Sequence, residues 1–247
     1  MDLPSSCVCI VFALAREASP FCARLKRRHS IAGAPCKAQF YTASSNSVLV
    51  VVAGIGAQRT EWMLDWLLGQ PQFEGRPFQP HLVISAGFCG ALQHGYAVGD
   101  VVIATDVVDF AGQRWQTSWP DWPLRGLDET PRLGRILSSP RIIGTSADKR
   151  MLGHRYDAVA VDMETATIAR RCAERGMPFG SVRAVSDDMD TTLSAELLST
   201  LGGGRLPYHL GILLIRHPAF SLEMWRLARN TRIAAQRLAA ALRAVLP

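Results

Sequence analysis

The stretch Ala158–Asp190, AVAVDMETATIARRCAERGMPFGSVRAVSDDMD, decides the fold. Ala158–Val161 is an uninterrupted apolar run, the pattern of a buried strand. Thr165–Arg175 has a helical period that puts Ile168, Ala169 and Cys172 on one face. Gly176 and Pro178 stand where that helix must stop. Phe179–Val185 then reads as a second strand. A strand-helix-strand unit of this length predicts a right-handed parallel crossover, whose strands finish at one edge of a sheet. Two acidic segments follow those strands, Val161–Glu164 and Ser186–Asp190. Glu164 and Asp187 are therefore expected to face a common cleft, at the edge where open α/β sheets bind ligands.

Outward from this unit, strands are predicted at Val8–Leu14, Val48–Ala53, Leu82–Ala86 and Val101–Ala104. Helices are predicted at Glu17–Lys26, Arg59–Leu68, Glu164–Arg175 and through much of Phe220–Leu246. The alternation predicts an α/β fold, a three-layer sandwich around a mostly parallel mixed central sheet. The residues after each strand are chemically pointed. Ala15-Arg16-Glu17 follows the first, Gly54-Ile55-Gly56 the second and Gly87-Phe88-Cys89-Gly90 the third. Glycine lets backbone approach a ligand closely. With Glu164 and Asp187, five strand ends carry either a glycine turn or a carboxylate, which together predict a binding cleft.

A chain of 247 residues can bury a large core, and residues 1–247 are read as one domain. Its C-terminal part, about 205–247, reads as a basic amphipathic helical segment. The net charge of +6 is mild, and no aromatic-basic interleaving marks a nucleic-acid groove. The six cysteines form no C-x-x-C pair and no zinc spacing, and no H-E-x-x-H or similar metal cluster occurs. Several lie in apolar runs, so a reducing, cytoplasmic setting is expected over a disulfide framework. Cys7–Ala15 is apolar, but Asp2 precedes it and it is too short to span a bilayer, so it reads as a strand.

Two irregular regions stand out. Phe110–Pro131 carries Trp115, Trp119 and Trp122, and is read either as a lid, as an interface or as a loop anchored by its tryptophans. Gly202–Pro218 leads into a helix with Leu222, Trp225, Leu227, Ala228, Ile233, Leu238 and Leu242 against Arg226, Arg229, Arg232, Arg237 and Arg243. Such a helix packs on the domain or lies on an anionic membrane surface.

Some motifs fail. Gly54-Ile55-Gly56-Ala57-Gln58-Arg59 begins like a dinucleotide fingerprint, but Arg59 takes the third glycine's place. Val83-Ile84-Ser85-Ala86-Gly87 lacks the first glycine of a nucleophile elbow, and His81 and His94 flank Ser85 too closely to complete a triad argument. No Walker P-loop is present.

Ala160–Ala166 and Val182–Asp187 resemble the paired signatures of the purine nucleoside phosphorylase and methylthioadenosine/S-adenosylhomocysteine nucleosidase superfamily. Ala86–Leu92 with Val98–Val102 is similar to its glycine turn and next strand, and Phe12–Glu17 resembles the first-strand exit of the nucleosidase branch. The likeness spans roughly residues 8–190. Beyond it, Arg216–Arg237 is more similar to hopanoid-associated members, which act on adenosylhopane.

The resemblance implies cleavage of a purine nucleoside through an oxocarbenium-like sugar. Asp187 would be the general acid at N7 of the leaving purine, and Glu17 would orient and deprotonate water. Glu164 would accept from the ribose hydroxyls with Met163 against the sugar, and Arg183 would sit beside them. Ser186, Phe88, Gly87, Ile55 and Gly56 would complete the substrate site, with Arg150 and Met151 at the purine. No metal or organic cofactor is implied, and a homo-oligomer is. Phosphorylases carry an arginine where Glu17 stands and a serine or threonine where Phe88 stands, so hydrolysis is the expected reaction. The alternative is a phosphorylase with phosphate as co-substrate, drawing charge from Arg16 or Arg59. The reading from another class is a nucleoside-binding protein without turnover.

Overall fold

The structure, a computed structural model, describes residues 7–43, 46–69, 71–73, 76–119, 131–194 and 218–246. Its logic is visible in the first strand, β1 (Cys7–Phe12), where every residue is buried. Alternate side chains of a strand point to opposite faces. Cys7, Cys9 and Val11 enter one apolar layer, and Val8, Ile10 and Phe12 enter the other. A strand apolar at every position is thus covered on both faces, which places it at the centre of a layered α/β fold.

In chain order, β1 is followed by α1 (Ala15–Cys22), β2 (Lys26–Ser30), β3 (Lys37–Ala43), β4 (Asn46–Val52) and α2 (Ala57–Leu68). Then come β5 (Gln72–Phe73), β6 (Arg76–Pro77), β7 (Leu82–Ala91), β8 (Val101–Asp109), β9 (Arg114–Gln116) and β10 (Arg132–Ser138). The remainder is α3 (Ser146–Tyr156), β11 (Ala160–Asp162), α4 (Thr165–Glu174), β12 (Phe179–Asp187) and α5 (Pro218–Ala244). The main sheet has the order β11-β10-β8-β12-β7-β1-β4-β3-β2, with β9 attached to β8. β12, β7, β1 and β4 form its parallel centre. Antiparallel pairs join β4 to β3, β3 to β2 and β12 to β8, so the sheet is mixed. α2 and α4 cover one face through Met63, Leu64, Leu67, Ile168, Ala169 and Cys172. α1 and α5 cover the other through Ala18, Phe21, Ala234, Leu238 and Leu242.

Three expectations are corrected. β11 and β12 are not parallel neighbours. β12 runs parallel to β7, whereas β11 pairs antiparallel with the last residues of β7, Val161 opposite Gly90 and Ala160 opposite Ala91. β7 is long enough to leave β1 after Ala86 and turn its carboxyl end toward β11, which closes this half of the sheet on itself. Glu164 and Asp187 still arrive at one place, because both strands meet β7 at Gly90. Secondly, Gly87–Gly90 is strand rather than turn, since β7 runs to Ala91. Thirdly, the first helix stops at Cys22, and Lys26–Ser30 is the edge strand β2.

Trp119 settles part of the tryptophan-loop question. Its Nε1 donates to the Ala104 carbonyl at 3.1 Å, and its ring lies where a side chain at Gly180 would be. Trp119 therefore anchors the segment to the sheet, and Trp115 lies in β9 against the core. Trp122 and Gly202–Arg216 fall outside the described residues. Ile10 is fully buried, so Ile10→Ala is expected to cost about 2–5 kcal/mol, read as a lower denaturation midpoint at unchanged slope.

Candidate active site

β1 ends at Phe12 and delivers α1, whose third residue is Glu17. Its Oε2 accepts the Leu14 N–H at 2.8 Å, the reach-back half of a capping box. Its Oε1 accepts the Phe88 N–H of β7 at 3.0 Å. A first-turn glutamate is ordinarily solvated, but this one is only 4% exposed. Burial pushes its pKa up against the pull of the Phe88 N–H and the Arg183 guanidinium.

Arg183 is contributed by β12 and is 2% exposed. Its guanidinium meets Asp162 Oδ2 at 2.6 Å and Ser85 Oγ at 2.5 Å, and also donates to Thr165 Oγ1. Asp162 in turn accepts the N–H groups of Glu164 and Thr165 at 3.3 and 3.0 Å, capping α4. The following Glu164 is thereby held with its Oε1 accepting the Gly56 N–H at 3.0 Å. Burial and then the neighbouring Asp162 carboxylate push the Glu164 pKa up to about 7, against Arg183 and the Gly56 N–H. Phe12, Ala53, Thr60 and Ser85 line the wall behind Glu164 and Arg183.

Asp187 closes β12. Its Oδ2 lies 2.5 Å from Lys149 Nζ, and its Oδ1 is 2.8 Å from the Ser186 hydroxyl, which also reaches the Cys89 carbonyl at 3.2 Å. Two glycines of β7 make room for these groups. A Cβ on Gly87 would strike the Arg183 guanidinium and come within 3.0 Å of Glu17 Oε1, and one on Gly90 would lie 2.8 Å from Asp187 Oδ2. Their role is close approach of acidic side chains to the strand.

Glu17, Gly87, Phe88, Arg183, Glu164 and Gly56 thus form one connected group, and Ser186 and Asp187 adjoin it along β7. Phe88 is half-buried, with the Arg16 guanidinium 6.0 Å from its ring centre. Ile55 is exposed in the turn before Gly56, and Met163 is half-buried between Asp162 and Glu164. Arg150 and Met151 lie on α3 and are exposed, Met151 at 54%. Sequence reasoning weighed Ser85 only as a nucleophile and gave the side chains of Lys149 and Thr165 no role. Lys149 carried a signal. It stands at i with Leu152, Gly153 and Tyr156 at i+3, i+4 and i+7, the buried stripe of α3.

Among the described residues, no group of three or more His, Cys, Asp or Glu is placed to hold a metal ion. All six cysteines are free. What the cluster supplies is proton chemistry: buried carboxylates of raised proton affinity, a fixed guanidinium between them, and backbone donors that fix their orientation.

These features define an α/β protein with a buried cluster of carboxylates and cations at the carboxyl end of β7. The sequence profile described as the Phosphorylase superfamily matches residues 8–201, and the chain belongs to that superfamily of enzymes. Relatives include the 5′-methylthioadenosine/S-adenosylhomocysteine nucleosidase of Staphylococcus haemolyticus, 28% identical over 172 residues, which are 60% of this chain and 73% of that protein. The fold is that of the Neisseria meningitidis 5′-methylthioadenosine/S-adenosylhomocysteine nucleosidase in complex with methylthio-immucillin-A. The match has a TM-score of 0.73 and 20% identity over 97% of this chain and 98% of that one. It is also that of Helicobacter pylori futalosine hydrolase, with a TM-score of 0.71 and 16% identity over 97% of each chain.

The raised pKa of Glu164 has a consequence for stability. A carboxyl that binds its proton more tightly when folded stabilises fully below its unfolded pKa, and that contribution is lost as pH rises through the folded one. Between its ordinary 4.5 and about 7, the wild type should therefore lose on the order of 2–3 kcal/mol relative to Glu164→Gln. Denaturant melts of both proteins across that pH range measure it.

Proposed function

We propose that the protein is a purine nucleoside N-glycosidase, a hydrolase that cleaves the N-glycosidic bond of an adenosine-type nucleoside. The observation that carries this reading is Glu17. It is a buried carboxylate of raised pKa, fixed by two backbone N–H groups, and by the resemblance it stands where a phosphorylase carries an arginine that holds phosphate. A carboxylate there accepts a proton from water and repels phosphate. In the proposed mechanism Asp187 gives a proton to purine N7 as the C1′–N9 bond breaks and its electron pair moves onto the base. Glu164 accepts from the ribose hydroxyls, with Met163 against the sugar and Arg183 balancing the carboxylates. Water held by Glu17 adds to C1′. Gly87, Phe88, Ile55, Gly56 and Ser186 shape the substrate site, and Arg150 and Met151 stand at the purine. No metal or organic cofactor takes part.

Residues 1–247 act in this reading as one domain, supported by the burial of Ala234, Leu238 and Leu242 of α5 against the sheet. The six free thiols support a cytoplasmic enzyme, and the superfamily supports a homo-oligomer. The alternative, a phosphate-dependent phosphorylase, rests on Arg16 beside Phe88 and on Arg59 beside Gly54.

Base release from methylthioadenosine, S-adenosylhomocysteine and adenosine, with and without phosphate, separates these reactions. Release without phosphate is expected, with Asp187→Asn and Glu17→Gln each slowing it by about 10²–10⁴. Strict dependence on phosphate would make the enzyme a phosphorylase and remove Glu17 as the base. Tight binding without turnover would make it a binding protein.

A lipid-linked nucleoside such as adenosylhopane is a variant substrate of either reaction, suggested by the resemblance of Arg216–Arg237, and the outer face of α5 supports the membrane contact it would need. Leu222 and Trp225 are 49% and 61% exposed, beside exposed Arg226 and Arg229. Exposed apolar anchors among arginines suit an anionic bilayer surface. No helix among the described residues is long and apolar enough to cross a membrane. Co-sedimentation with phosphatidylcholine vesicles is expected only when phosphatidylglycerol is included, and is expected to be lost in the R226E/R229E double variant. Equal sedimentation of both proteins would remove the membrane from this reading.

A further inference from the structure

Lys149 is the one lysine among the fully buried large side chains, and nothing in the mechanism above uses it. Its ammonium has three hydrogens and meets three acceptors: Asp187 Oδ2 at 2.5 Å, the Asp188 carbonyl at 2.7 Å and the Thr191 carbonyl at 3.1 Å. The two carbonyls belong to a turn that is itself built for the purpose. Asp188 Oδ1 accepts the Thr191 N–H at 2.8 Å and the Thr191 hydroxyl at 2.6 Å, which folds residues 188–191 around the ammonium. A buried ammonium is tolerated only when paired and fully hydrogen-bonded. The anion in this cage is Asp187, whose side chain is 16% exposed while that of Lys149 is 0% exposed. Lys149 therefore has its way to the cleft through Asp187.

We propose that Lys149 is a positioning residue that acts through Asp187, so that the proton leaving with the base is held by the Lys149–Asp187 pair rather than by the carboxyl alone. The proposal rests on the nucleosidase reading given above. In the resting site Lys149 is an ammonium and Asp187 a carboxylate, one mobile proton between them. As C1′–N9 breaks and its electrons move onto the purine, N7 takes a proton from the Asp187 carboxyl while Lys149 gives one to that carboxyl. Neutral base, Asp187 carboxylate and Lys149 amine remain. Water adds to C1′ and loses its proton to Glu17, Glu17 releases that proton to solvent, and solvent returns one proton to the pair through the exposed edge of Asp187, which restores the resting site. Atoms and charge balance without any further reactant. The cage also fixes the carboxylate plane, with Lys149 on Oδ2 and the Ser186 hydroxyl near Oδ1. Arginine does not fit a cage of two carbonyls and one carboxylate oxygen made for a compact ammonium.

The test is Lys149→Met, chosen to keep the buried volume, measured on two substrates with the same 5′ group. One is an adenine nucleoside, whose base must be protonated to leave. The other is a p-nitrophenyl riboside, whose phenolate leaves without a proton. The variant is expected to lose about 10²-fold in kcat on the nucleoside and to stay within about threefold on the nitrophenyl riboside. In an Asp187→Asn background the same substitution is expected to change neither rate, because Lys149 has no route to the base except Asp187. Equal losses on both substrates, or a further loss in the Asp187→Asn background, would make Lys149 a structural residue and overturn the proposal.

A binding arm keeps the proposal separate from the activity itself. 9-Deazaadenine carries a hydrogen on N7 that donates to the anchored Asp187 carboxylate. Calorimetry is expected to show it bound about tenfold more weakly by Lys149→Met and by Asp187→Asn than by wild type. If wild type released no base from any nucleoside, the nucleosidase reading would fall, and this dependence would still support the pair. Equal affinity in all three proteins would sink the pair whether or not turnover is seen.

Discussion

A guanidinium fixed inside the sheet is the constraint on which the site depends. Arg183 lies on β12, a strand whose residues Phe179–Ser186 are all buried. A charge there is tolerated only with counter-charge and hydrogen bonds on hand. Asp162, Ser85 and Thr165 supply them, from β11, β7 and the start of α4. Asp162 can reach Arg183 and cap α4 at once only if α4 begins where it does, and that same start fixes Glu164. The ion pair therefore sets the position of a helix and, through it, of a site carboxylate. Removing one partner of such a pair typically costs about 3–5 kcal/mol, since the other is left charged in a dry interior.

The charges do not cancel locally. Glu17, Asp162, Glu164 and Asp187 stand against two buried cations, Arg183 and Lys149. The surplus is negative, and burial sharpens it. Two carboxyls accordingly have raised proton affinity, Glu17 and Glu164, both chiefly through desolvation. Glu164, pushed up to about 7, is the carboxyl whose proton is exchanged near neutral pH. That property comes from packing acids along β7, which its glycines at 87 and 90 permit by carrying no side chain into the acids' space.

Much of this was legible in the residues. The doubly buried strands announced themselves as apolar runs, and Gly176 with Pro178 marked the end of α4 within a residue or two. Glu17, Glu164, Arg183 and Asp187 were each named from the sequence, and the structure sets them along the carboxyl half of β7. What the residues hid was long-range pairing. The antiparallel contact of β11 with β7 depends on where a ten-residue strand bends, which no local pattern encodes. β2, with the sequence Lys26-Arg27-Arg28-His29-Ser30, is polar because it is an edge strand, so its pattern imitates a helix end. Lys149 was overlooked for a similar reason. Its charge suggested solvent, while its place on the stripe of Leu152, Gly153 and Tyr156 pointed inward.

The same surplus of negative charge bears on the choice of nucleophile. Phosphate would enter a site whose nearest fixed groups are the carboxylates of Glu17 and Glu164, with Arg183 already engaged by Asp162, Ser85 and Thr165. The two backbone N–H groups that could cradle an anion there, those of Leu14 and Phe88, already donate to Glu17. Arg16 lies over the Phe88 ring, 6.0 Å from its centre, and is exposed. Water meets none of these obstacles, since it is neutral on entry and needs only an acceptor for its proton. In the proposed reading the carboxylate that replaces the phosphate-holding arginine would also be the group that makes water reactive, so one difference in sequence would account for both halves of the preference.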